Sequence, residues 1–289
     1  MPEEKRILIV DDDPDVHDLL RVALRDTGRT FESARDGIEG LKRIAAEPWD
    51  LVITDVLMPG MDGMALLERI RSLRPEARVV VMTVATTAEN VAAAIRKNAF
   101  AWFSKPFTID AVREMVNHAL NDEPADDDIE VITASPHWLG LRLRCRMNTA
   151  ERILQFVREM ELRLPPQEKE DVAAAFREIL LNAIEHGAGN DPDKKVRIQF
   201  VRAERALLYY VQDPGKGFSF EGLNHAAGSN PDQSPEEHVS LRTGMGMRAG
   251  GFGILITRAL VDELIYNDAG NEVLLIKYLP SAVAGVESR

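Results

Sequence analysis

Between residues 5 and 120, short apolar runs alternate with longer stretches whose apolar residues recur every three or four positions. Lys5–Val10, Thr30–Ala34, Leu51–Thr54, Val79–Met82 and Ala101–Phe103 read as strands, because each is a run of three to six residues rich in β-branched, apolar or aromatic side chains. Val16, Leu19, Leu20, Ala23 and Leu24 follow helical spacing, and Asp13 before Pro14 supplies an N-cap and a first helical residue. Five β-α units of this length predict an open, doubly wound parallel sheet. A site on such a sheet belongs at the carboxyl ends of its strands.

The pattern then breaks. Residues 121–128, Asn-Asp-Glu-Pro-Ala-Asp-Asp-Asp, are acidic and nearly free of apolar side chains. They divide the chain into residues 1–121, a linker over 122–134, and a second domain over 135–289. In the second domain Trp138–Cys145 alternates as a half-buried strand, and helical patterns follow near Ala150–Leu164 and Gln167–His186. Strands are predicted at Val196–Val201, Leu207–Val211, Glu263–Tyr266 and Glu272–Leu279, with a helix at Ile254–Leu260. This is an α+β layout, a mostly antiparallel sheet covered by helices on one face. The Gly-, Pro- and Ser-rich stretch from Asp213 to Gly253 is long for a connection inside a compact domain, and an active-site lid is the usual reason for one.

Composition narrows the function classes. The chain has 289 residues and a formal net charge of -12, and its basic residues form no block. That argues against nucleic acid as a partner. A single cysteine, Cys145, permits no internal disulfide and suits a reducing cytosol. The N-terminus lacks the pattern of a signal peptide, and no apolar run approaches the roughly 20 residues needed to span a bilayer. A cytoplasmic protein without membrane contact is expected.

In the first half, Asp11, Asp12 and Asp55 each follow a strand. If the first and third strands are neighbours, the three carboxylates converge. Clustered like charges call for a cation, and hard oxygen ligands suit Mg²⁺. A carboxylate so held can attack a phosphoryl group. Lys105 and Thr83, each at a strand end, add a cation and a hydroxyl for the phosphoryl oxygens. These residues resemble the response-regulator receiver family. Val10-Asp11-Asp12-Asp13-Pro14 is similar to its acidic turn, and Asp55 through Gly63 to its acceptor loop. Thr83 and Ser104-Lys105-Pro106-Phe107 are similar to its switch hydroxyl and lysine. The resemblance implies a flavodoxin-like receiver phosphorylated on Asp55 by an upstream sensor histidine kinase. It also implies Mg²⁺ held by Asp11, Asp12, Asp55 and the backbone of Leu57. Trp102 stands where the family carries a smaller rotating aromatic, usually Tyr or Phe, and a larger ring turns less freely in a packed site.

In the second half, Glu178 and Asn182 are four apart on one helix face. Asp213-Pro-Gly215-Lys-Gly217 follows a strand, its Asp able to accept from an exocyclic amine. Gly244-Met-Gly246 and Gly250-Gly251-Phe-Gly253 open a helix, where free N–H groups and the dipole favour phosphate. In this order the three elements resemble the GHKL ATP-binding domain of gyrase, Hsp90, histidine kinases and MutL. In particular, Glu178 to His186 and the Gly-Gly-x-Gly entry to the last helix resemble the anti-sigma-factor serine kinases.

The resemblance implies ATP bound by Asn182, Asp213, Gly215, Gly217, Gly250, Gly251 and Gly253. Asn182 is then a Mg²⁺ ligand and Glu178 the catalytic base toward serine or threonine. It further implies an anti-sigma-antagonist (STAS-like) protein or a sigma factor as partner, and a homodimer. None of His17, His118, His137, His186, His225 or His238 is followed by the run that a phospho-accepting histidine requires. A protein serine/threonine kinase gated by its receiver is the leading expectation, with Glu89–Lys105 as the receiver's output face. Two alternatives stay open: a nucleotide-shaped partner-binding switch without kinase activity, and a histidine-kinase-like ATPase working with a separate phosphotransfer protein.

Overall fold

The computed structural model describes residues 5–25, 28–84, 87–121, 128–160, 164–217 and 253–280. The chain divides into two compact units, Met1–Asp128 with Glu151–Glu161, and Ile129–Ala150 with Leu162–Arg289.

The first unit is built on five strands, β1 (Lys5–Val10), β2 (Arg29–Ala34), β3 (Leu51–Asp55), β4 (Arg78–Thr83) and β5 (Ala101–Ser104). They pair in the order β2-β1-β3-β4-β5, all parallel. Helices α1 (Pro14–Ala23), α2 (Gly37–Ala46), α3 (Gly63–Leu73), α4 (Ala88–Arg96) and α5 (Ile109–Asn121) connect or follow them. Helix α1 packs with α5, and α2 with α3. Covering both faces explains why all five residues of β3 are buried, and why the strands read as continuous apolar runs rather than alternating ones. One core layer sets Ile7, Ile9, Leu51, Ile53, Val80 and Met82 against α1 and α5. Each such side chain, fully buried, contributes about 1.5–3 kcal/mol.

The helix starts are strongly specified. Asp13, Asp36, Asp62 and Thr87 each accept a backbone N–H of the first turn through a side-chain oxygen. Segment Glu151–Glu161, most of helix α6 (Met147–Glu159), also counts with this unit, and there the Arg152 guanidinium donates to the Ala99 carbonyl.

The second unit has six antiparallel strands in the order β10-β11-β9-β8-β7-β6. These are β6 (Ile129–Ser135), β7 (Trp138–Arg144), β8 (Lys195–Arg202), β9 (Ala206–Gln212), β10 (Glu263–Tyr266) and β11 (Glu272–Tyr278). The sequence pattern assigns 122–134 to a linker, yet Ile129–Ser135 pair with β7 as an edge strand.

Alternation is clean here. Leu141, Ile198, Val211 and Val273 lie in one row and are buried, while Arg142 pairs with Glu130 at 3.0 Å on the opposite face. Helix α7 (Pro166–Asn182) packs on β9 and β11, and α8 (Gly253–Leu260) packs on α7 and β10. The helical pattern predicted to reach His186 does not end as an α-helix. Ala183–Gly187 form a π-helical turn, closed by Ala188 N–H to the Ala183 carbonyl at 2.9 Å. Such single π turns are frequent at functional sites.

Candidate functional site

Register alone gathers the candidate residues of the first unit. Val10 pairs with Thr54, so Asp11 lies beside Asp55. Asp55 pairs with Met82 and Thr83 with Ser104, so Thr83 and Lys105 each stand one step beyond their neighbour's end. The result is a stair of polar groups at the carboxyl edge of an apolar sheet. Asp11, Asp12 and Asp55 each bring a carboxylate oxygen within 4.8 Å of the others. Asp11 is fully buried and Asp55 nearly so, whereas Asp12 faces solvent.

Lys105 Nζ lies 2.8 Å from Asp11 Oδ2 and 3.3 Å from Asp55 Oδ1. Burial raises the Asp55 pKa, the Lys105 ammonium opposes that shift, and the Asp11 carboxylate adds to it. One lysine shared by two buried carboxylates leaves an excess of negative charge. Three hard oxygen donors at this spacing fit a divalent cation. Leu57 is 60% exposed, and Thr83 and Trp102 are each 1% exposed. The Trp102 indole Nε1 is buried without a hydrogen-bond partner among the described residues.

The acceptor loop depends on its last residue, Gly63, which the sequence motif includes but to which it assigns no role. At Gly63 a Cβ would lie 1.9 Å from the Asp55 carbonyl oxygen, so only glycine lets α3 begin against the end of β3. The signal was present as the glycine following Asp62, the N-cap that accepts from Ala65 N–H at 2.7 Å.

In the second unit, Glu178 and Asn182 lie one turn apart on α7, both half-buried. Glu178 reaches the start of α8, where a Cβ on Gly253 would meet its Oε1 at 2.0 Å. The carboxylate therefore sits at a helix N-terminus, the positive end of the dipole. Asp213, directly after β9, is backed by the π turn: a Cβ on Gly187 would lie 2.2 Å from its Cγ. Its Oδ1 accepts from Gly215 N–H at 2.7 Å. Burial raises the Asp213 pKa, and the Gly215 N–H acts the other way.

The β10–β11 turn fastens this loop. Asp213 N–H donates to the Asn271 carbonyl at 3.0 Å, and Asn271 Nδ2 donates to the Gly215 carbonyl at 3.3 Å. Gly217 has φ +79°, and a Cβ there would meet the Ala269 carbonyl oxygen at 1.7 Å. Asn271 and Gly187 were not singled out from sequence as site residues. The turn cluster Asn267-Asp-Ala-Gly-Asn271 was the available signal for the first. Gly250 and Gly251 lie outside the described residues, as does most of the stretch from Asp213 to Gly253.

Comparison with known proteins finds one family model in each half of the chain, the second including the segment Glu151–Glu161 that counts with the first compact unit. Residues 7–117 match the model of the response regulator receiver domain, and residues 143–277 that of the histidine kinase-like ATPase domain. The chain is similar to the transcriptional regulatory protein GlrR of Escherichia coli, with 34% identity over 145 residues, 49% of this chain and 33% of that protein. It is similar to response regulator MprA of Mycobacterium ulcerans, with 32% identity over 123 residues, 43% of this chain and 53% of that protein. It thus spans a third to about half the length of these two relatives.

Among solved structures, a CheY-like receiver domain protein from Methanospirillum hungatei is 33% identical, with a TM-score of 0.40. The match covers 41% of this chain and 95% of that one. No helix among the described residues is long and apolar enough to cross a membrane. The chain joins a response regulator receiver domain, residues 7–117, to a histidine kinase-like ATPase domain, residues 143–277.

Proposed function

We propose that the chain is a two-component response regulator, phosphorylated on Asp55, whose output is an ATP-dependent protein serine/threonine kinase of the anti-sigma-factor type. The observation that carries the reading is the meeting of Glu178 with the first residue of α8. A carboxylate held at a helix N-terminus, one turn from Asn182, stands where a base would serve a phosphoryl transfer.

In the receiver, an Asp55 oxygen attacks the phosphorus of an upstream phosphohistidine. The new O–P bond forms as the P–N bond breaks, and the histidine leaves. Lys105 and the Thr83 hydroxyl accommodate the charge that arrives. Asp11, Asp12, Asp55 and the Leu57 carbonyl would hold Mg²⁺, which would screen the carboxylates and the incoming phosphoryl oxygens.

In the ATPase domain, ATP is the substrate, with its base amine at Asp213 and its phosphates toward Gly250, Gly251 and Gly253. Gly215 and Gly217 let the loop approach it, and Asn182 would hold a second Mg²⁺. A serine or threonine hydroxyl on a STAS-like anti-sigma-antagonist partner attacks the γ-phosphorus. Its proton passes to Glu178, and the β–γ bridging bond breaks to release ADP. Phosphorylation of Asp55 gates this step in a cytoplasmic homodimer.

The test is incubation with γ-labelled ATP and candidate STAS-like partners, with and without a small-molecule phosphoryl donor for Asp55. Acid-stable label on the partner, abolished by Glu178→Gln, is expected. Acid-labile label would favour a histidine-kinase-like ATPase. Partner binding without label, unaffected by Glu178→Gln, would make the domain a binding switch.

A further inference from the structure

Tyr266 ends β10, the outer strand of the six-stranded sheet. It pairs with Val273, which pairs with Val211, which pairs with Ile198, which pairs with Leu141. Residues directly opposite one another across a sheet share a face. Four members of this row are buried under the helices. The Tyr266 side chain therefore stands on the helix-covered face, at the open end of the row, where α8 packs on β10. Leu264, two residues earlier and opposite the fully buried Leu275, confirms the alternation, while Glu263 and Ile265 face outward and are exposed.

Three charged groups act on the phenol electrostatically. It feels the carboxylates of Glu178 and Asp213 and the guanidinium of Arg258 on α8. Glu178 marks the phosphate end of the site by its place at the α8 N-terminus, and Asp213 marks the base end by its place against Gly187 and Gly215. Val273, opposite Tyr266, pairs with Val211, two residues before Asp213, and α8, whose first residue meets Glu178, packs on β10, so Tyr266 belongs to the floor between the two ends. Burial is the main reason its pKa is pushed up to about 12, with the two carboxylates adding to it and Arg258 opposing. The hydroxyl thus keeps its proton throughout the physiological range and remains a donor.

We infer that Tyr266 is a specificity-determining residue of the nucleotide site, its hydroxyl hydrogen-bonding a sugar hydroxyl of the bound nucleotide and so favouring ribonucleotides over deoxynucleotides. The inference rests on the nucleotide reading of this domain and adds the sugar to the base and phosphate ends. Between a base amine and a triphosphate the sugar hydroxyls are the polar groups that a phenol on the floor meets. A site that hydrogen-bonds a ligand hydroxyl discriminates against the analogue lacking it, because its own polar group is then left unpaired.

The experiment is calorimetric titration of the full chain and of Tyr266→Phe with Mg²⁺ and ATP, 2′-deoxy-ATP or 3′-deoxy-ATP. The wild type should bind ATP about 3- to 10-fold more tightly than one of the deoxy analogues, the range of one hydrogen bond. Tyr266→Phe should weaken ATP by a similar factor and leave that analogue unchanged, so that the preference disappears. A preference that survives in Tyr266→Phe, or no preference in the wild type, overturns the assignment while leaving the nucleotide reading intact. A wild-type chain that binds none of the three nucleotides overturns the nucleotide reading and the assignment together.

Discussion

The Glu178 carboxylate fills the space that a side chain at Gly253 would need: a Cβ added there would lie 2.0 Å from its Oε1. The clash is with the end of a flexible side chain rather than with backbone, so the fold can accept Gly253→Ala by turning the carboxylate away. Alanine is also the better helix former, by up to about 1 kcal/mol. The expected variant is as stable as the wild type within about 1 kcal/mol but transfers phosphate about 10- to 100-fold more slowly, the scale of an ångström-sized misplacement. Urea unfolding and labelled-ATP transfer measure the two sides. Unchanged transfer would remove Glu178 from the mechanism.

Asp55 gives a pH signature. Its pKa is raised in the fold, by burial first and with Asp11 adding. A raised value means that folding favours the protonated acid. That contribution is complete below the unfolded value, about 3.9, and is lost as pH climbs through the folded one. At neutral pH without metal the ionised Asp55 therefore weakens the receiver. Asp55→Asn should raise its stability by about 1 kcal/mol at pH 7, and the gain should shrink as pH falls toward about 4. The receiver transition in scanning calorimetry follows both, with chelator present.

Metal should reverse part of that difference. A cation bound by Asp11, Asp12 and Asp55 adds about 1.4 kcal/mol at ten times its dissociation constant. Magnesium should raise the wild-type transition more than that of Asp55→Asn or Asp11→Asn, and chelation should abolish the difference. Equal shifts in all three proteins would count against a site at these carboxylates.

Tyr209 is fully buried between Phe176 and Phe200, with ring centroids 5.2 and 5.1 Å away, and its hydroxyl has no partner among the described residues. Removing an unsatisfied buried hydroxyl while keeping the ring should stabilise. Tyr209→Phe is expected to gain about 1–2 kcal/mol in urea unfolding of the ATPase domain. A loss would mean that the hydroxyl has a partner after all.

Gly63→Ala should behave in the opposite way to Gly253→Ala. Its Cβ would meet the backbone of Asp55, at 1.9 Å from the oxygen and 2.8 Å from the carbon, and backbone cannot swing aside. About 2–3 kcal/mol of receiver stability should be lost, together with labelling of Asp55 by acetyl phosphate. Calorimetry and acid-labile label counts check the pair of effects.

The receiver fold was legible because two covered faces make its strands into unbroken apolar runs, and because Asp11, Asp55, Thr83 and Lys105 sit at run ends that register brings together. The second sheet was legible where alternation is strong, as from Val196 to Phe200. β6 was not, since an edge strand with only partial burial follows an acidic run and offers little apolar contrast. The proximity of Gly253 to Glu178 and of Gly187 to Asp213 was also invisible. It depends on how two helices and a loop pack, and a glycine carries no side chain through which sequence pattern could announce it. Tyr266 read as one more strand aromatic. Only the pairing of three strands shows which face it shares.

The π turn at Ala183–Gly187 sets a rule about length as well as identity. A π turn holds one residue more than the α-helix it interrupts, so the chain beyond it is phased one residue later against Glu178 and Asn182. Deleting any single residue there would rotate Gly187 by about 100° and draw it back by about 1.5 Å, away from the Asp213 carboxylate that it backs. Gly187 must stay a glycine, since a Cβ there would lie 2.2 Å from the Asp213 Cγ, and the turn that carries it can be neither four nor six residues long.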